Sequence, residues 1–149
     1  MKENELRATT EDELDAFVSI AIRRAEILND SGSASACEAW QEVLLYEERL
    51  AKITQPAEIA GGVARVGAVR AALASGQRGE AKRLATEYLA EELLPPERRA
   101  AINRAFDEDQ DYLARRFPAL ARRGRLAELD LWRSEALAPP RVFPWAWAV

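Results

Sequence analysis

SACEAWQEVLLYEERLAKITQP, residues 35–56, decides the fold. Trp40, Val43, Leu44, Leu50 and Ala51 recur at three-and-four spacing, the period of one face of an α-helix. Ser35 followed by Glu38 has the form of a capping box, in which each side chain satisfies a free backbone N–H near the other. The pattern predicts a helix from there to about Ile53. Thr54-Gln55-Pro56 stops it.

The same period continues outward in both directions. Toward the N-terminus, Leu14, Phe17, Val18, Ala21, Ile22 and Ala25 share one face of a helix from about Glu11 to Leu28. Thr10 with Glu13 repeats the cap, and NDSGSAS (29–35) breaks the chain. Toward the C-terminus, Pro56 fits the first turn of a third helix carrying Ile59, Val63, Val66, Val69 and Leu73 inward. Gly61, Gly62 and Gly67 each weaken that helix by about 1 kcal/mol relative to alanine. They allow close approach of another helix, or mark a kink or a short break. Ser75-Gly76 is a turn. A fourth helix spans about Arg78 to Leu93, with Ala81, Leu84, Ala85, Tyr88 and Leu89 inward.

Pro95-Pro96 starts a fifth helix presenting Ile102, Ala105, Phe106, Tyr112, Leu113 and Phe117. Pro118 kinks or ends it, and Gly124 has the character of a C-cap. A sixth helix is expected over about Arg125 to Ala138, with Leu126, Leu129, Trp132 and Leu137 on one side. Pro139-Pro140 stops it. No strand pattern of comparable quality precedes residue 141, and short connections favour antiparallel neighbours. The expectation is an all-α, single-domain bundle of five to six mostly antiparallel helices. A polar arm occupies 1–9, the helical bundle 10–138 and a proline/aromatic tail 139–149.

ALASGQRGEAKRLATEYLAEELLPP (72–96) resembles the second half of a tetratricopeptide-type helical hairpin. Gly76, Ala81 and Leu89 stand at that family's turn, small-contact and apolar positions. Tyr88 departs from the small residue usual there, and the closing proline comes about two residues late. The resemblance covers about residues 71–96, one repeat, and no second copy follows where a solenoid needs about three. It implies a helical-hairpin scaffold of the kind used in binding proteins and assigns no ligand.

Composition narrows the chemistry. With 149 residues, 48 % apolar and 31 % charged, the chain can bury a core. A net charge of −4, from 25 acidic and 21 basic residues, lacks the basic excess of a general nucleic-acid binder. Histidine is absent, which removes Ser-His-Asp and Cys-His catalysis and histidine metal sites. Gly61-Gly62 lies within a helical pattern and so makes no phosphate-binding or dinucleotide loop. No cofactor is expected. One cysteine, no signal-peptide stretch and no run of about 18 apolar residues favour a cytoplasmic protein without a membrane span. That cysteine, Cys37, is either a thiol activated at a helix N-terminus or a small buried residue beside Trp40. Its residue type favours burial.

Two charged runs need weighing. Asp107, Glu108 and Asp111 share one helical side and have the carboxylates to hold magnesium, the basis of a magnesium-dependent enzyme reading. The run resembles the aspartate-rich motif of prenyl-chain enzymes, but the second acidic motif those enzymes need is missing. Tyr112 stands where a calcium loop requires glycine. The plainer reading is a solvated face, with Asp111 paired to Arg115 four residues on. Asp109 falls on the apolar side between Phe106 and Leu113, so an arginine of another helix is expected to meet it. Arg115, Arg116, Arg122, Arg123 and Arg125 form a basic run, either an anion or acidic-partner patch or an outer face balancing those acids.

The tail RVFPWAWAV (141–149) is the sharpest functional feature. Prolines keep it extended, and alternate side chains of an extended chain share a side. Phe143, Trp145, Trp147 and Val149 therefore form one apolar ribbon edge. Three aromatics carry roughly 450–750 Å² between them, at or above the largest apolar patch of an ordinary monomer. Four fates follow: folding back onto a groove of its own helices, insertion into a protein partner or a second copy, chemical modification, or membrane contact. The first is a structural cover. The second makes a non-catalytic interaction protein acting through a helical groove and this tail, whether adaptor, assembly factor or small inhibitor. In it Phe143, Trp145, Trp147 and Val149 bind, while Arg141 and the terminal carboxylate set direction. The third makes a ribosomal peptide precursor with a folded helical leader, and Trp145 and Trp147 as the modified residues of a core at 141–149.

Overall fold

The computed structural model describes residues 11–124. Six helices fill that span: α1 (Glu11–Asp30), α2 (Ala36–Ile53), α3 (Ile59–Ala74), α4 (Arg78–Leu89), α5 (Pro96–Arg116) and α6 (Pro118–Arg122). No strand occurs among the described residues. The arm at 1–9, Thr10, the helix expected over 125–138 and the tail at 139–149 lie outside the described residues.

α1 packs on α2, α2 on α3, and α3 on both α4 and α5. α3 therefore stands in the middle, and its sequence shows why. IAGGVARVGAVRAALA carries small or β-branched apolar residues all round, the composition of a helix buried on most sides. Its glycines do not break it. A Cβ on Gly61 would lie 1.8 Å from the Gln55 carbonyl oxygen, so glycine lets the incoming loop fold over the first turn. Gly62 admits the Arg98 side chain of α5, and Gly67 admits the Glu47 carboxyl of α2. Close approach is the correct alternative of the two read from the sequence.

The observed helices correct several boundaries. α3 begins at Ile59 rather than Pro56, which leaves Ile59 outside the core at 79 % exposure instead of inward. α4 ends at Leu89, four residues short of Leu93. The Arg99 guanidinium closes this end, donating to the carbonyl oxygens of Leu89 in α4 and of Glu91 and Leu94 in the loop beyond it. Pro118 ends α5 and also opens α6, because Phe117 before it is held out of the helical region at φ −129° and ψ 65°. Gly124 closes α6, not α5, with φ +66° and its N–H on the Ala121 carbonyl.

The capping box at Ser35 does not form. Ser35 already has helical dihedrals, φ −76° and ψ −6°, and its side chain makes no capping bond. Ser33 acts two residues earlier: its Oγ accepts from the Ser35 N–H at 3.1 Å.

Among the described residues, three charged side chains sit inside the core. Arg65 on α3 donates in a fork to both Glu91 carboxylate oxygens (2.6 and 3.0 Å), and to the carbonyls of Gly61 and Thr54. Its guanidinium also lies over the Tyr88 ring at 5.7 Å. Asp109 is 2 % exposed and accepts from Arg78 Nη1 at 2.8 Å, as its place on the apolar side of α5 required. Glu47, 4 % exposed, lies in the Gly67 notch. Burial, reinforced by the like charge of Asp15, pushes its pKa up to about 8.

Candidate docking site

The outer face of the α1–α2 hairpin carries what the core does not need. Ile20 and Ile27, seven residues apart on α1, are 67 % and 60 % exposed, and Leu45 on α2 is also exposed. The two helices run antiparallel, as two contacts show: Phe17 stacks on Tyr46 with ring centres 5.6 Å apart, and Arg24 meets Glu42 at 3.2 Å. This pairing sets Ile20 and Leu45 at a similar level of the hairpin.

Two grooves meet on this face. The first, about 330 Å³, is lined by Ile20, Arg23, Arg24, Ile27 and Leu28. The second, about 520 Å³, runs between Arg24 on α1 and α2 residues that include Glu38, Glu42, Leu45 and Tyr46. Arg24 borders both, and its guanidinium donates to Glu42 on the α2 side. The face thus combines exposed aliphatic side chains, cations on α1 and carboxylates on α2. That is the make-up of an apolar binding patch with a polar rim.

The residues singled out from the sequence are placed elsewhere. Asp107 and Asp111 are exposed on α5, while Glu108 is half-buried and acts on Arg70 of α3. Burial lowers the Arg70 pKa, and Glu108 opposes that shift. No group of three potential metal ligands occurs among the described residues. Arg115, Arg116, Arg122 and Arg123 are exposed on α5 and α6, and Arg116 lies over the Phe117 ring at 5.7 Å. Arg125 lies outside the described residues, as do Arg141, Phe143, Trp145, Trp147 and Val149. Cys37 is half-buried in the first turn of α2, less enclosed than the buried alternative required.

Ile20, Ile27 and Leu45 escaped the sequence reading, although a signal existed. Each is a large aliphatic residue set off the apolar stripe of an otherwise amphipathic helix. No helix among the described residues is long and apolar enough to cross a membrane. Comparison with protein-family models, curated proteins and solved structures gives no match to this chain.

Proposed function

We propose that this chain is a non-catalytic helical interaction protein, an adaptor, assembly factor or small inhibitor, that receives an apolar segment of a protein partner on the α1–α2 face. The observation that carries this reading is the exposure of Ile20, Ile27 and Leu45 around Arg24. Full burial of one such aliphatic side chain is worth about 1.5–3 kcal/mol, so three supply a useful gross term before ordering costs. The buried charges support a scaffold role, since Arg65, Arg78 and Arg99 are engaged in ties between helices or at helix ends. The aromatic segment at 141–149 belongs to the same reading as a second apolar element.

The test uses the full chain as bait in extract from its own cells, beside the double variant Ile20→Asp/Ile27→Asp. Both positions are exposed, so far-ultraviolet circular dichroism is expected to stay unchanged. A partner captured by the native chain and lost by the variant supports the reading. An identical set of captured proteins removes the α1–α2 face from it.

A further inference from the structure

The groove between Ile20 and Ile27 has a chemistry that selects its occupant. Its walls are apolar: Ile20, Ile27 and Leu28, with Arg23 and Arg24 contributing their aliphatic stems. An indole suits such a site by its large apolar area, and the arginine heads beyond the rim offer its ring a cation. The protein uses this pairing repeatedly: Arg65 lies over Tyr88, Arg78 over Phe106 and Arg116 over Phe117, each within 6 Å of the ring centre. The sequence beyond Gly124 holds Phe143, Trp145 and Trp147 at alternate positions, with an apolar area that calls for cover.

We infer that residues 143–147 occupy the Ile20–Ile27 groove of their own chain, with Trp145 or Trp147 against Arg23 and Arg24, and that a partner binds by displacing them. The inference rests on the interaction reading above. Reach permits it. α1 packs on α2, α2 on α3 and α3 on α5, so at ordinary helix spacing α1 lies at most roughly 24–30 Å from α5. The eighteen residues 125–142 span about 27 Å at the rise of an α-helix and about twice that when extended. A tethered segment acts at an effective concentration of order millimolar, which favours the same chain over a second copy in dilute solution.

A second copy's α1 is a poorer occupant. Antiparallel twofold packing that sets Ile20 against Ile27 of the other copy also sets Arg23 against its Arg24, like charge on like charge. Three exposed aliphatic side chains also fall well short of the roughly 1,200 Å² that a stable interface buries.

The experiment is fluorine NMR of the full chain labelled with 5-fluorotryptophan, assigned with Trp145→Phe and Trp147→Phe. A soluble paramagnetic chelate reads the accessibility of each indole. In the native chain the Trp145 or Trp147 resonance is expected to be protected. Protection is expected to be lost in Ile20→Asp/Ile27→Asp and in Arg23→Glu/Arg24→Glu. Trp40, buried in α2, reports that the bundle stands. Equal accessibility in native and variant chains overturns the inference. Protection that fades on dilution overturns it too, since the groove then holds another copy's tail. Partner capture lost in the Ile20/Ile27 variant while the tail indoles stay accessible throughout overturns this occupant alone and leaves the docking face standing. Tail protection without any partner capture upholds the occupant and overturns the partner-binding role of the face.

Discussion

Glu47 is the residue at which sequence and structure pull hardest against each other. Its folded pKa of about 8 lies above the ordinary 4.5, so the folded protein binds that proton more tightly than the unfolded chain. The stability this contributes is fully present below pH 4.5 and is lost as pH rises through 8. Between those values the loss approaches about 1.4 kcal/mol per pH unit. Glu47→Gln removes the titration and keeps the shape. Urea denaturation of the two proteins is expected to show the variant gaining on the native chain steadily from pH 5 to pH 8. A constant difference across that range sinks the assignment.

Gly67 tests the same contact from the other side. A Cβ there would lie 2.2 Å from Glu47 Oε1, so Gly67→Ala forces the carboxyl out of its notch, at a cost of about 1–3 kcal/mol. Alanine itself favours the helix by about 1 kcal/mol over glycine. In a Glu47→Ala background the obstacle is gone, and Gly67→Ala is expected to become neutral or stabilising. A double-mutant cycle by denaturation reads the change of sign. Glu47 was legible: it falls three residues after Leu44 and three before Leu50, on the apolar face of α2. A carboxylate there, with glycine in the next helix, was the signal, and attention to apolar residues alone passed over it.

At the scale of elements, the order and identity of the helices follow from periodicity, while their ends follow from partners the sequence does not show. Arg99 closing the end of α4 is such a case, since nothing local tells which carbonyls a long cation will reach. Asp109 is the opposite case, because a lone acid between Phe106 and Leu113 demands a cation from outside α5. Arg78, in the first turn of α4, supplies it and ties the start of α4 to the later part of α5. Replacing Arg78 with methionine removes the guanidinium that meets this buried carboxylate, and a loss of up to about 3–5 kcal/mol is expected. The double variant Arg78→Met/Asp109→Leu removes both charges and is expected to recover most of it. Thermal melts of the single and double variants decide. Equal losses in both would show that packing, not charge, holds this joint. The candidate docking face was legible only in part, because off-stripe aliphatic residues are common and only the α1–α2 pairing sets Ile20 and Leu45 at a similar level of one hairpin.

For the whole molecule, the helices form a succession rather than a ring: α1 leans on α2, α2 on α3, and α3 carries α4 and α5. Opening α3 uncovers residues from Gly61 to Ala74 that are buried on several sides, whereas α6 has no buried residue of its own and packs through Leu120 and Ala121 on Leu113 of α5. Local opening costs follow the buried contacts that opening destroys. Amide hydrogen exchange on the full chain is therefore expected to be slowest in α3, intermediate in α1 and fastest in α6. The value of the measurement lies in α1. Its inner residues Leu14, Val18, Ala21 and Ala25 are held by α2, but the flank bearing Ile20 and Ile27 faces outward. If Ile20→Asp/Ile27→Asp speeds exchange across α1 and leaves α3 unchanged, that flank is covered in the native chain and the cover stabilises α1. If α1 exchanges at the same rate in both proteins, the succession from α1 to α3 alone sets its stability, and the outer face is open to a partner from the start.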